Sequence, residues 1–325
     1  MLDLVLGKTK LNSRVFLAPM AGVTDLPFRK IVRKFGQFMM YSEMVASHAV
    51  IRDVRRTRKM MDMMNDEFTS IQIVGADPKI MAEAANVAHD LGAKFLDINM
   101  GCPVKKIVKS EAGSALMKNE KLAAKIIKSV VEAVPIPVTL KMRLGWDCDQ
   151  KNAATIARIA QDSGISMIAV HGRTRGQLYS GHADWSAIAD VKRSIDIPVI
   201  VNGDIIDTDS AERALKESGA DAVMVGRGSL GRPWFLKDIH EYLENGGLKN
   251  TSKFMSNQAM LDIAKLHVEY MFEIYQVNTA IKLLRRVLMY YCKGSKYATE
   301  LRRGIVLINT VDDVYDVLNE IFPLN

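Results

Sequence analysis

The stretch LGAKFLDINMGCP, residues 91–103, contains the end of a helix, a buried strand and a polar loop in immediate succession. Gly92 suits the left-handed cap that ends a helix, and the apolar run that begins at Phe95 is typical of a strand in a parallel sheet. The same junction returns as Ser163-Gly164-Ile165 and Ser218-Gly219-Ala220, each before another apolar run. These repeats predict a chain built from successive helix–strand units.

Short apolar segments alternate with helical patterns from residue 15 to about residue 230, which is typical of a parallel α/β fold. Most of the predicted strands end in a residue that can do chemistry or let a ligand approach closely. Loops after eight strands converge on one mouth only in a TIM (β/α)8 barrel, which we predict, with a doubly wound parallel sheet as the alternative. The eight predicted strands are Val15–Met20, Phe38–Glu43, Ser70–Val74, Phe95–Asn99, Pro137–Met142, Met167–His171, Pro198–Asn202 and Ala222–Gly226.

The C-terminal part of the chain has a different pattern. The strand–helix alternation ends after Pro233-Trp234-Phe235, and Glu244-Asn245-Gly246-Gly247 is typical of a linker. From Met260 onward, apolar residues recur at steps of three and four, which predicts a small helical domain. We therefore expect a barrel domain over residues 1–243 and a helical domain over residues 251–325.

The composition is that of a globular protein with a large core: of 325 residues, 48% are hydrophobic and 25% are charged. Cys102, Cys148 and Cys292 are spaced for neither a disulfide framework nor a zinc site, so we predict no metal and a reducing compartment. No apolar run approaches the roughly 18 residues of a membrane span, and the N-terminus lacks a basic, apolar leader. The sequence predicts a cytoplasmic protein without membrane attachment, and it indicates no obligate protein partner.

The formal net charge of +7 favours an anionic partner, and the charge is concentrated in the C-terminal part of the chain. Between Lys282 and Arg303 there are seven basic residues and one acid, Glu300, so the local net charge is +6 (seven minus one). The basic residues are Lys282, Arg285, Arg286, Lys293, Lys296, Arg302 and Arg303. A second basic cluster runs from Arg52 to Lys59. Such clusters favour a polyanion such as a nucleic acid.

Cys102 is the first candidate catalytic residue. It follows the predicted strand Phe95–Asn99 and lies between Gly101 and Pro103. Glycine allows the backbone to bend and proline stiffens it, so we expect the thiol to be held facing a cleft. Three lysines follow within residues 104–109, which favours an anionic substrate. The alternative is a small buried cysteine without a chemical role.

The loops after the last two predicted strands have the composition of a phosphate site. Val201-Asn202-Gly203-Asp204 follows one strand and Val225-Gly226-Arg227-Gly228 follows the other, where many barrels bind phosphate. Glycine lets backbone N–H groups approach phosphate oxygens, and Arg227 adds positive charge. The sequence has no P-loop, and its one GxGxxG spacing, at residues 226–231, follows the last predicted strand and therefore opens no βαβ unit, so flavin mononucleotide (FMN) fits better than a dinucleotide or ATP.

Two further residues suit a flavin. Lys141 can face the N1/O2 edge of the ring, where negative charge accumulates on reduction, and Gln72 can hydrogen-bond the pyrimidine edge. The alternatives are an ion-paired lysine inside the barrel for Lys141 and a satisfied buried amide for Gln72.

Five stretches of the sequence, in this order, resemble signatures of the tRNA-dihydrouridine synthases. They are APMAGVTD at residues 18–25, NMGCP at 99–103, KMRLG at 141–145, VHGRT at 170–174 and NGD at 202–204. The resemblance extends over residues 15–240, the helical segment also suits the family, and the bacterial B-type subfamily is the most similar part of it.

This resemblance implies an enzyme that binds FMN, uses NADPH as reductant and reduces the C5–C6 double bond of uridine in tRNA to 5,6-dihydrouridine. Hydride passes from N5 of FMN to C6, and Cys102 protonates C5. Asn99 and Arg143 are implied to contact the uracil. The residues implied to line the flavin are Pro19, Met20, Ala21, Gln72, Lys141, His171, Asn202, Gly203, Asp204, Gly226 and Arg227.

A bound tRNA needs a surface for its backbone and bases. The basic helical segment is the natural candidate, with Tyr290, Tyr291 and Tyr297 as possible stacking surfaces. A barrel flavoenzyme acting on a small molecule, of dihydroorotate or enone type, is an alternative that gives this segment no role. A non-catalytic RNA-binding protein is another, which does not explain the placement of Cys102 and Lys141.

Overall fold

A computed structural model describes residues 4–52, 68–246, 255–293, 295 and 297–324 of the chain. Beyond Arg52, the predicted basic cluster that ends at Lys59 lies outside the described residues, as does Lys296 of the C-terminal basic stretch.

Eight parallel strands form a closed barrel, preceded by a short antiparallel hairpin of β1 (Val5–Leu6) and β2 (Thr9–Lys10). The barrel strands are β3 (Val15–Leu17), β4 (Met39–Tyr41), β6 (Thr69–Val74), β7 (Leu96–Met100), β8 (Val138–Arg143), β9 (Met167–His171), β10 (Val199–Asn202) and β11 (Ala222–Val225). β11 pairs with β3, and β4 pairs with both β3 and β6, which closes the barrel. A short strand, β5 (Val45–Ala46), pairs with β6. The predicted TIM (β/α)8 barrel is confirmed, and every predicted strand overlaps one of the eight.

Helices follow the barrel strands, as expected for this fold. They are α1 (Leu26–Arg33), α2 (Ser47–Arg52), α3 (Pro78–Asp90), α4 (Lys105–Lys109), α5 (Glu120–Ala133), α6 (Ala153–Asp162), α7 (Ser186–Ser194) and α8 (Thr208–Ser218). α3 shows how the sequence sets their ends: the Asp77 carboxylate accepts from the N–H groups of Lys79 and Ile80 at 2.9 and 3.0 Å, and Pro78 occupies the first turn. Gly92 follows this helix with a φ of 98°.

Strand register brings polar side chains together inside the barrel. Asn99 lies opposite Lys141, Arg143 opposite His171, and His171 opposite Asn202. Because these residues lie at or near the carboxyl ends of their strands, they line the same end of the barrel, which we call the mouth.

The chain folds into two compact units, residues 1–24 with 37–227 and residues 25–36 with 228–325. These limits differ from the predicted domains of 1–243 and 251–325. Within the second unit, the Phe28 ring lies 5.8 Å from the His267 ring, and Lys30 Nζ lies 2.7 Å from Glu273 Oε2. Such contacts between residues far apart in sequence leave no trace in local periodicity.

The second unit is helical, as the sequence predicts for its C-terminal part. After α1 it contains α9 (Phe235–Glu244), α10 (Asn257–Ile274), α11 (Val277–Tyr291), α12 (Ala298–Leu307) and α13 (Val311–Ile321). Leu261, Leu284, Leu288, Ile305 and Leu318 are buried in its core. Across the part of the chain that the structure describes, no helix is both long and apolar enough to span a membrane, and no cluster of side chains suits a metal ion.

A buried histidine is part of this helical core. His267 Nδ1 lies 3.1 Å from the Tyr291 hydroxyl, and Nε2 has no hydrogen-bond partner among the described residues. Burial lowers the pKa of His267 to about 3. The imidazole is therefore neutral in the folded protein at physiological pH.

The neutral state of His267 predicts a pH-dependent loss of stability. An unfolded imidazole takes up a proton near pH 6.5, whereas the folded one stays neutral to about pH 3, so acid favours the unfolded state. Between about pH 7 and about pH 5 this effect removes roughly 2 kcal/mol from the free energy of unfolding. His267→Asn keeps an amide oxygen near Tyr291 but cannot titrate, so urea unfolding of this variant should show a correspondingly weaker pH dependence. Equal pH dependence of the two proteins would contradict this role.

Candidate active site at the mouth of the barrel

The turn that carries Cys102 is fixed from both sides. Asn99 Oδ1 accepts hydrogen bonds from the N–H groups of Gly101 at 3.1 Å and Cys102 at 2.9 Å. The carbonyl of Cys102 accepts from the N–H and hydroxyl of Ser114 at 3.1 and 2.9 Å. Gly113 approaches this carbonyl with a φ of 60°, and a Cβ there would lie 2.9 Å from the Cys102 oxygen. The thiol therefore projects from a constrained backbone, as expected from the sequence.

The Cys102 thiol holds its proton. Burial raises its pKa, and this effect outweighs the opposing influence of the Val104 backbone and the Arg143 charge. The residue forms no disulfide. At neutral pH the side chain is thus a thiol that can donate a proton.

Gln72 and Asn99 form a buried chain of amides with Asp97. Gln72 Nε2 donates to Asp97 Oδ2 at 2.6 Å, and Asn99 Nδ2 donates to Gln72 Oε1 at 2.7 Å. The other oxygen of Asp97 accepts from Thr139 Oγ1 at 2.5 Å. Burial raises the pKa of Asp97 to about 6, against the hydrogen bonds from Gln72 and Thr139 and the charge of Lys141.

Lys141 lies opposite Asn99 in the sheet, and its side-chain amine has no hydrogen-bond partner among the described residues. Its side chain is 7% exposed, and within the described residues Nζ makes no hydrogen bond and no ion pair. Burial and the Arg143 charge lower its pKa to about 7, against the Asp97 charge, which raises it. A buried amine without a partner and with so perturbed a pKa is typical of a group that serves a ligand.

Arg143 anchors the surrounding loops. Its Nε donates to the Gly101 carbonyl at 2.8 Å, and Nη1 donates to the carbonyls of Thr174 and Leu178 at 2.9 and 3.0 Å. Burial lowers the pKa of Arg143 to about 10, so the guanidinium remains charged at neutral pH. Most of its donors thus hold the Cys102 turn to the loop after β9, a role that the sequence did not indicate.

Asp204 lies at the centre of an arginine cluster. Its carboxylate accepts from Arg173 Nη1 and Nη2 at 2.9 and 2.6 Å, from Arg227 Nη2 at 3.2 Å and from the Ala183 N–H at 2.8 Å. Burial raises the pKa of Asp204, but these hydrogen bonds and charges outweigh it and lower the pKa overall. Asp204 has a φ of 54°, so the loop holds it in the left-handed region. It therefore positions the arginines.

The two glycines of the predicted phosphate loops differ in their packing: Gly203 is tightly packed, whereas a Cβ would fit at Gly226. Gly203 has a φ of 117°, and a Cβ there would lie 2.8 Å from the Ala183 Cβ. A Cβ on Gly226 would meet Ala18 and Met20 only at 3.7 Å. Asn202 is turned into the barrel, where its Nδ2 donates to the Met224 carbonyl at 2.8 Å.

His171 and the loop after β3 complete the predicted set. Burial and four neighbouring cations lower the pKa of His171 well below its usual value, so the ring is neutral. In the loop Pro19-Met20-Ala21, the Met20 N–H donates to Thr24 Oγ1 at 2.9 Å. Glu43 accepts from the N–H of Gly22 and so holds the end of the same loop.

Three residues that contact the predicted site residues were not predicted: Asp97, inside the barrel below Asn99, and Arg173 and Tyr179 at the mouth. Arg173 is 2% exposed and is part of the quoted VHGRT stretch, so the signal was present. The Tyr179 ring is 55% exposed, with the Arg227 guanidinium 4.6 Å from its centroid. Nothing in the sequence near Tyr179 indicates this stacking.

The fold and the site define a class: a TIM barrel whose strand ends carry a protonated thiol, an unpartnered buried lysine and an arginine cluster. Sequence comparison then identifies the family, because the family model described as "Dihydrouridine synthase (Dus)" matches residues 16–323. This chain belongs to the dihydrouridine synthase family, and it is an enzyme.

Relatives match along most of the chain. A protein named "Probable tRNA-dihydrouridine synthase" from Rickettsia conorii is 47% identical over 94% of this chain and 92% of its own length. A protein named "tRNA-dihydrouridine synthase B" from Xanthomonas axonopodis pv. citri is 42% identical over 94% of this chain and 92% of its own length.

Solved structures support the fold alone. A histamine dehydrogenase from Rhizobium sp. 4-9 has a TM-score of 0.56 at 13% identity, covering 81% of this chain and 50% of that chain. A 2-naphthoyl-CoA reductase has a TM-score of 0.58 at 13% identity, covering 75% of this chain and 51% of that chain.

The Asp204–Arg173 pair predicts a specific stability loss. Asp204→Asn keeps a side chain that tolerates a left-handed backbone, but it leaves the buried Arg173 guanidinium without its counter-charge, at a cost of about 3 kcal/mol. The matched control is Asp190→Asn, which removes an exposed pair with Arg193 and should change stability by less than about 0.5 kcal/mol. Urea unfolding measures both variants. A loss for Asp204→Asn no larger than that of the control would show that Arg173 does not depend on this carboxylate.

Proposed function

We propose that this chain is a tRNA-dihydrouridine synthase that reduces the C5–C6 double bond of uridine in tRNA, with bound FMN and with NADPH as reductant. The single observation that carries the proposal is the Cys102 thiol, whose turn is held by Asn99 Oδ1 and by the Arg143 guanidinium. Membership of the family and the names of its relatives support tRNA as the substrate.

The residues at the mouth fit FMN. Lys141 offers a buried amine with no partner in the described protein, and Gly226 has no side chain at a point 3.7 Å from Met20 Sδ, where the backbone of the loop can be approached. Arg227, whose side chain is 52% exposed, would face the phosphate, with the N–H groups of the loops containing Gly203 and Gly226. When bound, FMN would supply the hydride for C6 of the uracil, and NADPH would reduce the flavin again.

The chain's own groups supply the remaining steps. Lys141 would hold the pyrimidine edge of the flavin and stabilise negative charge there, and Gln72 would donate a hydrogen bond to it. Hydride addition at C6 leaves enolate-like charge at C5 and O4 of the uracil, which Cys102 Sγ–H neutralises by protonating C5. Pro19, Met20, Ala21, His171, Asn202 and Asp204 would form the remaining walls of the flavin site.

Asn99 and Arg143 are proposed to contact the uracil only with the donors that remain to them. One N–H of the Asn99 amide donates to Gln72 and its oxygen accepts from the Cys102 turn, so the other N–H, which has only the weak acceptor Met44 Sδ at 4.0 Å, is the donor proposed for the uracil. Arg143 keeps the Nη2 donors. A reducing cytoplasm suits this chemistry, because Cys102 must remain a thiol.

The basic stretch of the helical unit is proposed to bind the tRNA backbone. Lys282, Arg286, Lys293, Arg302 and Arg303 are exposed. Arg285 serves the fold instead, because its guanidinium caps the Ile308 carbonyl at 2.7 Å. Tyr291 was wrongly expected as a stacking surface, since it is 6% exposed within the helical core, whereas Tyr297 is 57% exposed.

Substitution of Cys102 tests the catalytic assignment. Cys102→Ala should retain FMN and its reduction by NADPH, because neither needs the thiol. Reoxidation of the reduced flavin by unmodified tRNA in a single turnover should slow by about 10²-fold or more, the usual scale of a lost general acid. Cys148→Ala is the matched control, because Cys148 is exposed, and its rates should equal those of the wild type.

Three results would overturn the proposal. Wild-type reoxidation rates in Cys102→Ala would remove the thiol from the reaction. Faster reoxidation by free uridine or another small molecule than by tRNA would replace tRNA as the substrate. Purified protein that is colourless and cannot be reconstituted with FMN would remove the cofactor.

Neutralisation of the helical basic stretch tests tRNA binding. Lys282 and Arg286 are one turn apart on α11, and changing both to Gln should weaken tRNA binding and reduce its dependence on salt by about one unit of log–log slope per lost phosphate contact. Lys121→Gln with Lys125→Gln on α5 removes the same charge from an exposed pair at the same spacing. Filter binding over a salt series measures both pairs. Equal weakening by both would show only a general charge effect.

A further inference from the structure

The amide of Asn99 can adopt only one orientation. Its Oδ1 faces the backbone N–H groups of Gly101 and Cys102, and a backbone N–H can only donate. The acceptor of the amide must therefore point to the Cys102 turn, and the NH2 group must point the other way, toward Gln72.

The same argument fixes Gln72. Asn99 Nδ2 can only donate, so the atom of Gln72 that lies 2.7 Å away must be the oxygen. The Gln72 NH2 group then points to Asp97 Oδ2, at 2.6 Å. Gln72 is 1% exposed and Asp97 is 0% exposed, so water does not replace either partner.

Asp97 can accept this hydrogen bond in either protonation state. As a carboxylate it accepts from Gln72 and from Thr139 Oγ1. With a proton on Oδ1, it donates to the Thr139 hydroxyl, which can in turn donate to the Leu96 carbonyl at 3.3 Å. Oδ2 remains an acceptor in both cases.

We propose that Asp97 is a positioning residue: it terminates a one-directional chain of hydrogen bonds, from the Cys102 turn through Asn99 and Gln72, and so fixes the turn and both amides. The second N–H of Asn99 has only the weak acceptor Met44 Sδ at 4.0 Å, and that of Gln72 has no acceptor among the described residues, so both amides can donate to a bound ligand. Such a surface fits the carbonyl-rich edge of a pyrimidine or flavin. This last step rests on the proposed function, whereas the chain of hydrogen bonds does not.

Two substitutions of Asp97 separate its role as acceptor from its role in packing. Asp97→Asn keeps an oxygen for Gln72 and offers its NH2 group to Thr139, so the chain survives. Asp97→Leu fills similar space without an acceptor, and the direction of both amides is no longer set. The readout is the rate at which iodoacetamide alkylates Cys102, measured by peptide mass spectrometry on the purified full-length protein.

We expect alkylation of Cys102 to rise by about 5-fold or more in Asp97→Leu and to stay within about twofold of the wild type in Asp97→Asn. Asp221→Leu is the matched control: Asp221 is 7% exposed, directly precedes β11 and accepts from the N–H of Val199, the first residue of β10, at 2.7 Å. This control should lose stability without a change at Cys102. Equal alkylation rates in Asp97→Leu and Asp221→Leu would reduce Asp97 to a structural residue.

If Asp97→Leu does not fold, a second pair of variants tests the proposed direction of the hydrogen bonds between Gln72 and Asp97. Gln72→Glu places two carboxyl groups face to face, which raises their pKa values, so this variant should lose stability as the pH rises from about 4, where unfolded carboxyl groups ionise, through the raised values of the pair. Adding Asp97→Asn supplies a donor opposite the new carboxylate and should remove that loss, with a recovery of roughly 5 °C in melting temperature at pH 8. Equal melting temperatures of the single and double variants would overturn the proposed direction. Because neither readout uses flavin or tRNA turnover, failure here is distinct from failure of the proposed function.

Discussion

The pairing of β4 with β6 is the constraint on which the site depends, because it closes the barrel. In a closed parallel barrel, the carboxyl ends of all strands meet at one rim. Cys102, Lys141 and Asp204 are far apart in sequence and come together for this reason alone. Register matters as much as closure, since a slip of one residue would turn Lys141 out of the barrel.

The mouth holds more positive charge than its acids neutralise, and each cation is stabilised differently. Arg173 is paired with the Asp204 carboxylate, whereas Arg143 donates to backbone carbonyls of two loops. Lys141 has neither kind of partner in the described protein. Burial without a partner lowers the pKa of Lys141 to about 7, and a bound anion would stabilise its charged form. The proposed flavin is such a ligand, because its reduced ring and its phosphate are both anionic.

The barrel could be predicted because its signals are local. Apolar runs bounded by glycines such as Gly92 mark strand boundaries wherever the rest of the chain lies, and the NMGCP and NGD stretches mark the loops that carry the site. The roles of Asp97 and Arg143 could not be predicted in this way. Their partners come from other strands and loops, and the direction of each hydrogen bond depends on atoms that no sequence pattern specifies.

Two other differences between the sequence-based predictions and the structure, at α1 and at Tyr291, have distinct causes. The membership of α1 in the second unit depends on contacts of Phe28 with residues more than two hundred positions away, and local periodicity does not report such contacts. The burial of Tyr291 was visible in the sequence: Leu284, Leu288 and Tyr291 follow one another at steps of four and three, which places them on one face of a helix. Aromatic character was therefore given too much weight against periodicity.

Cys102 lies where two physical effects oppose one another. The Val104 backbone and the Arg143 charge favour a thiolate, which could not act as an acid, whereas burial favours the thiol and prevails. An anionic ligand at the mouth would offset the cations and exclude water, and both changes raise the pKa of Cys102 further. The thiol would then keep its proton until negative charge develops within hydrogen-bonding distance of Sγ. A site that is cationic when empty thus becomes a better environment for a neutral acid as its anionic ligand binds.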